Sequence, residues 1–406
     1  MIFAILLFFF TTFSIDAKIE LGIDCFFSSK NAEVLEGKRV GLVTNHTGIN
    51  KDLVSSFDLL LHKLKDSKLV AVFAPEHGFF GHILSEEKVH NESFQGIPIY
   101  SLYGNTRRPT KEMLRNIDIL VYDIQDLGVR SYTYASTLFY LMEEAAREKI
   151  PLIVLDRPNP LGGMIVDGSS LEEKFRSFIG YIDVPYCHGM TIGELALYFN
   201  AEYNIGCPLQ VIPMKGWKRS MLFQDTGLAW IPTSPYIPEA TTPLFYATTG
   251  LIGQLSLVSI GIGYTLPFKV IGAPWIRAEE FAQKLNDQGF TGVRFVPFRF
   301  TPQFGLYKKE LCQGILIVIE DPKRYLPVKT QHGILGILKS LYPKPVQSKL
   351  SSLSSQKKEI FCKAEGTALI FSYLIQEKYP AWKMMSHQNQ GKDLFLEKRK
   401  KYLLYN

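Results

Sequence analysis

Between Arg39 and Gly163 the chain repeats one unit: a short apolar run, a cluster of polar, Gly and Pro residues, then a stretch with apolar residues at helical spacing. RVGLVTN, starting at Arg39, is the first run. KLVAVF leads into APEHG (74–78), DILVYD into DIQDLGVRSYTY (123–134), and LIVLD into DRPNPLGG (156–163). The linking stretches place Leu53, Phe57, Leu60, Leu61 and Leu64, and later Leu138, Met142 and Ala145, on single helical faces. Continuous apolar strands alternating with amphipathic helices specify a parallel sheet covered on both faces. In such a sheet the loops leaving the carboxyl ends share one edge, and that edge is where ligands bind. Glu76, the segment 123–134 and the segment 157–163 are therefore expected along one rim. No GxGxxG follows the first run, so the arrangement is Rossmann-like without the dinucleotide fingerprint.

After about Asn204 the texture changes to Pro-rich connections such as WIPTSPYIPEATTP, mixed with the strand-like runs VIPM, VRFVPF and GILIVIE. The fold class expected is α/β, with a Rossmann-like parallel-sheet domain at 18–205 and a smaller α/β domain at 206–406. A hydrophobic content of 46% with 21% charged residues suits two packed domains of that size. The polar, Ser-rich stretch QSKLSSLSSQKK (347–358) reads as a mobile connection.

The first residues, MIFAILLFFFTTFSIDA, carry an apolar core of signal-peptide length, too short to span a bilayer, which marks 1–17 as a leader. The expected location is outside the cytoplasm, in the periplasm or cell envelope, with no membrane span after the leader is removed. A net charge of +6 is a mild excess whose densest cluster is the terminal EKRKKY, and no basic stripe interleaved with aromatics suggests a nucleic-acid partner. Five cysteines at irregular spacing form neither a CxxC metal pattern nor a disulfide framework. No carboxylate set completes a zinc pattern with His82 and His90.

Glu76 and His77 stand side by side just after an apolar run, with Gly78 permitting a tight turn. A carboxylic acid that protonates a leaving oxygen, with a second carboxylate as nucleophile or base, is the requirement of glycoside hydrolysis. Asp123 or Asp126 could supply that second group, and Gln125, Arg130, Tyr132 and Tyr134 add the hydrogen-bonding density that suits a sugar. An internal Asp123–Arg130 ion pair with a helix cap at Ser131 or Thr133 accounts for the same residues equally well. Arg157 and Asn159 either face the cleft or brace their Pro-rich loop. His188 precedes a helix that Thr191 and Glu194 begin at capping-box spacing, which makes Glu194 structural.

Seven segments in order, GLVTNHTG, APEHGFFG, DIQDLGVRSYTY, LDRPNPLGG, PYCHGMTIGEL, FKVIGAPWI and KYLLY, resemble the exo-β-N-acetylmuramidase family over nearly the whole chain after Ala17. The resemblance implies a cleft between a Rossmann-like domain and a smaller α/β domain. It also implies release of terminal N-acetylmuramic acid from the non-reducing end of peptidoglycan fragments, without a cofactor. By the same resemblance Glu76 is the catalytic residue; His77, Asp123 and Asp126 are the further catalytic candidates, and Asn45 joins Gln125, Arg130, Tyr132, Tyr134, Arg157, Asn159 and His188 as candidates for binding substrate. The lactyl carboxylate of the sugar would need a cation such as Arg130 or Arg157, and Trp230 and Tyr236 join Tyr132 and Tyr134 as rings for its faces. One stretch departs from the family pattern LLEGTNLSEGRGTTRPF: Gln254, Leu257, Ile260 and Ile262 replace its Glu, Asn, Glu and Arg. The resemblance thus implies either a hydrolase or a peptidoglycan-sugar binding protein that has lost catalysis.

Overall fold

A computed structural model describes residues 19–63, 66–85, 87–387 and 391–406; the leader expected at 1–17 lies outside them. Seven strands form the larger sheet: β1 (Arg39–Thr44), β2 (Lys68–Ala74), β3 (Glu92–Phe94), β4 (Ile97–Ser101), β5 (Ile119–Asp123), β6 (Leu152–Leu155) and β7 (Leu209–Ile212). Their spatial order is β3-β4-β2-β1-β5-β6-β7, and every neighbouring pair is parallel except β3 with β4. The four expected runs become β1, β2, β5 and β6. The VIPM region contributes β7, which pairs along β6 past the boundary expected at 205, so the larger sheet takes in the chain as far as Ile212.

Alternate residues of these strands feed two cores. Val43, Phe73, Tyr122 and Val154 face one side, where Leu138 and Met142 of one helix and Leu195 and Phe199 of another pack on them. Leu42, Val72, Val121 and Ile153 face the other side, against Ile23, Phe26, Phe57 and Leu60. The covering helices are α1 (Gly22–Phe27), α2 (Ser56–Lys63), the short α3 (Lys111–Leu114), α4 (Thr133–Glu148) and α5 (Ile192–Glu202). The α5 capping box is formed: Thr191 Oγ1 accepts the Glu194 N–H at 3.2 Å, and Glu194 Oε2 accepts the Thr191 N–H at 3.0 Å.

The remainder forms a smaller α/β unit. Its antiparallel sheet has the order β8 (Val270–Ala273), β10 (Cys312–Ile319), β9 (Val293–Phe300), packed with α6 (Thr242–Gln254), α7 (Ala278–Asn286) and α8 (Pro327–Leu341). The Ser-rich segment expected as a mobile connection is instead a helical turn-over, ending the helix Pro343–Ser351 and starting the helix Ser355–Glu365. Val346 and Leu350, four residues apart, bury one face of the first, and Ser354 caps the second by accepting the Lys357 N–H. All five cysteines are buried thiols. Among the described residues no helix is long and apolar enough to cross a membrane.

The chain ends by returning to the larger sheet. Leu404 N–H donates to Glu194 Oε1 at 2.9 Å, and the Tyr405 hydroxyl donates to Asp156 Oδ2 while accepting the Met214 N–H at 2.9 Å. Asp156 is fully buried at the end of β6, so its hydrogen-bond donors cannot be replaced by water. Tyr405→Phe is expected to lower unfolding stability by about 1–3 kcal/mol, read as a reduced denaturant midpoint; an unchanged midpoint would show that this hydroxyl adds nothing.

Candidate active site

Strand β2 stops at Pro75, whose carbonyl accepts the Gly78 N–H at 3.1 Å to close a turn. His77 and Gly78 both adopt positive φ, 71° and 77°, and this reversal sets Glu76 at the sheet's carboxyl edge. Thr133, the first residue of α4, donates its hydroxyl to Glu76 Oε2 at 2.5 Å. The carboxyl group therefore sits at the amino end of the 16-residue helix α4. His77 Nδ1 lies 2.7 Å from the Ile83 carbonyl. A carbonyl only accepts, so Nδ1 carries a proton and donates it, which leaves Nε2 for other partners.

Glu76 and His77 line a cleft of about 380 Å³ between the two units of the fold. Ser131, Tyr132 and Thr133 continue its floor, while Tyr246 and Gln254 of α6, Phe268 and Lys363 close it from the smaller unit. The Tyr132 hydroxyl donates to Thr233 Oγ1, and its ring meets those of Tyr134 and Tyr246 edge-on at 4.9 and 5.9 Å. Burial pushes the Tyr246 phenol up to about 12. A second lobe of about 310 Å³ shares Tyr236, Tyr246, Gln254 and Phe268 and runs on past Ile260, Ile262 and Leu306. Both lobes fall in the size range of small-molecule sites.

Of the positions where this chain departs from the family pattern, Gln254 stands where the lobes meet and Ile260 and Ile262 line the outer one. Leu257 does not face the cleft. It is fully buried, and its carbonyl accepts the Tyr307 hydroxyl at 3.0 Å.

Several residues expected at the rim are instead committed to the protein's interior. Asp123 is fully buried and pairs with Arg157 through two contacts, Nε to Oδ1 at 2.6 Å and Nη2 to Oδ2 at 2.8 Å, while Arg157 also reaches the Ile49 carbonyl. The alternative Asp123–Arg130 pair is not formed. Arg130 donates to four backbone carbonyls, those of Ser169, Val184, Ala364 and Glu365. Gln125 donates to the carbonyls of Asp126 and Pro158, and Asn45 accepts from Thr47 through both N–H and hydroxyl. Asn159 donates to the Met190 carbonyl and packs where a Cβ on Gly128, at φ 87°, would overlap it. His188 is buried among Arg399, Arg130 and Arg219; desolvation first, and those cations second, push its pKa down to about 3, so the ring is neutral. Tyr134 is fully buried beneath the cleft, its hydroxyl on the Thr233 carbonyl, and Trp230 packs on Phe223.

The cleft holds cations that the sequence did not single out. Arg107, in the loop after β4, and Lys363, on the helix Ser355–Glu365, both line it. The signal for Arg107 was the run IPIYS: once it is recognised as a strand parallel to β2, its following loop belongs on the same rim.

The comparisons with known proteins follow the same division of the chain. The family models for the N-terminal and C-terminal parts of exo-beta-N-acetylmuramidase NamZ match residues 40–241 and 244–405. A curated relative from Bacillus subtilis (strain 168), described as peptidoglycan beta-N-acetylmuramidase NamZ, is 40% identical over 390 residues, 96% of this chain and 92% of the relative. Two crystal structures of DUF1343 family proteins from Bacteroides fragilis are similar. One has a TM-score of 0.90 at 39% identity, covering 96% of this chain and 100% of its own. The other has a TM-score of 0.71 at 28% identity, covering 96% and 99%. The chain belongs to the exo-β-N-acetylmuramidase family.

Asp126 makes this environment measurable. Its Oδ2 accepts the Gly128 N–H at 2.8 Å, its Oδ1 has no partner among the described residues, and burial pushes its carboxyl up to about 7. A pKa raised on folding means that the native state favours the protonated form. The stabilisation is complete below the ordinary carboxylate range near 4 and is lost as pH rises through about 7. Asp126→Asn is expected to remove this residue's share of that slope, up to roughly 4 kcal/mol. Melting curves between pH 4 and 8 test it, and an unaltered pH dependence would contradict the assignment.

Proposed function

We propose that this chain, a member of the exo-β-N-acetylmuramidase family, is an exported hydrolase that releases N-acetylmuramic acid from the non-reducing end of peptidoglycan fragments, with Glu76 as general acid. The observation that carries the reading is the position of Glu76: a cleft carboxyl group at the end of β2, held by one hydroxyl bond from Thr133 and by no ion pair among the described residues. A group so placed can give its proton to a leaving oxygen without first breaking a salt bridge. Asp123 has no such freedom, because it is closed off by Arg157.

In the proposed reaction the Glu76 carboxyl protonates the glycosidic oxygen as the bond from that oxygen to C1 of the sugar breaks. A water molecule then adds its oxygen to C1, and its proton restores the Glu76 carboxyl group. The positive charge that grows on the ring in between is the feature of glycoside hydrolysis that the site must tolerate. His77 faces the same cleft, its Nδ1 on the Ile83 carbonyl and its Nε2 available to the sugar hydroxyls or to the entering water. Tyr132 and Tyr246 present ring faces and edges to a sugar of this size. A leader at 1–17 would bring such an enzyme to the periplasm or cell envelope, where its substrate lies.

The purified protein is expected to release free N-acetylmuramic acid from a muramyl-glucosamine disaccharide. Glu76→Gln should slow this by about 10²–10⁴-fold, the range general acid catalysis supplies. The loss should shrink on an aryl glycoside whose leaving group needs no proton. Binding of the disaccharide without turnover by the wild type would instead identify a sugar-binding protein, and equal losses on both substrates would remove Glu76 from the acid role.

A further inference from the structure

The loop after β4 carries two adjacent arginines with opposite fates. Arg108 points back into the protein, donating to Glu143 at 2.5 Å, to Glu144 at 3.1 Å and to the Tyr181 hydroxyl at 3.2 Å, which fastens the loop to α4. Arg107 points the other way, into the cleft that holds Glu76. Its guanidinium lies over Phe178 at 4.5 Å and over Tyr103 at 5.1 Å, and among the described residues it makes no ion pair. The other cleft cation, Lys363, already faces Glu359 at 2.5 Å one helical turn away.

This is the geometry of a carboxylate reader. Contact with ring faces orients the guanidinium plane and leaves its N–H edge free, and that edge matches the two oxygens of a carboxylate. A ring-held arginine also loses little side-chain freedom when it binds. We propose that Arg107 recognises the lactyl carboxylate of the muramyl sugar and so determines the selectivity of the cleft for that sugar over N-acetylglucosamine. The proposal rests on the muramidase reading of the site and assigns to Arg107 the part expected of Arg130 or Arg157, both of which are spent on internal partners.

Two substrates that differ only in the lactyl group separate this role from a structural one: the 4-methylumbelliferyl glycosides of N-acetylmuramic acid and of N-acetylglucosamine. Loss of one charge-assisted contact should lower kcat/KM of Arg107→Gln for the muramyl glycoside by about 10- to 100-fold, mainly through KM. Its kcat/KM for the glucosamine glycoside should stay at the wild-type value, and Arg107→Lys should fall between. Converting the lactyl carboxyl to its methylamide should cost the wild type a similar factor and cost Arg107→Gln little more. Equal losses on both glycosides, or an unchanged ratio, would overturn the proposal. If the wild type turns over neither glycoside, the catalytic reading of Glu76 fails while Arg107 is still tested. Calorimetric binding of free N-acetylmuramic acid against N-acetylglucosamine should then show a preference that Arg107→Gln abolishes, and no preference in the wild type would overturn the assignment.

Discussion

The buried pair of Asp123 with Arg157 is the constraint on which the rim is built. Asp123 ends β5 and Arg157 follows β6, and the arginine continues to the Ile49 carbonyl beyond β1. The Asp123 carbonyl, in turn, accepts the Thr44 hydroxyl at 2.7 Å. The carboxyl ends of three adjacent parallel strands are thereby held together by groups that water does not reach. Removing one partner of such a pair leaves an unmatched buried charge, at a cost of roughly 3–5 kcal/mol. With these charges neutralised internally, the loops above can present other groups to a ligand at fixed separation.

The same reasoning sorts the polar residues of the rim. A carboxylate or guanidinium committed to several internal partners supports the fold, as Arg130 does with four carbonyls. The groups that line the cleft have few partners: Glu76 has a single hydroxyl bond, His77 holds the Ile83 carbonyl through Nδ1, and Arg107 rests on two rings. Partner count separates these sets more sharply than burial does, since Glu76 at 8% exposed and Arg130 at 4% differ little.

That distinction explains what could be read from the amino-acid sequence. β1, β2, β5 and β6 were legible because they are covered on both faces and so are written as continuous apolar runs. β3 and β4 were not, because β3 is a three-residue edge strand, both are only partly buried, and β4 includes Pro98, which argues against a strand. Missing β4 hid the loop that carries Arg107. The crowded segment 123–134 announced hydrogen-bonding density but not its direction, since a loop that braces itself and a loop that grips a sugar use the same residue types. Tyr132 and Thr133 reach the cleft from that segment, whereas Asp123, Gln125 and Arg130 turn inward.

The two lobes of the cleft divide the chemistry in a way that bears on the departures at 254–262. Among the described residues, the charged side chains lining the cleft, Glu76, Arg107 and Lys363, belong to the inner lobe, and none belongs to the outer one. Ile260 and Ile262 are therefore far from idle replacements: they give the outer lobe an apolar wall beside Phe268 and Tyr236, suited to the carbon-bound face of a ring rather than to its hydroxyls. Gln254, at the junction, keeps the hydrogen-bonding reach of a Glu without its charge. Glu76 is held by its place after β2 and by Thr133 rather than by these positions, so the changes at Ile260 and Ile262 bear on what the outer lobe accepts.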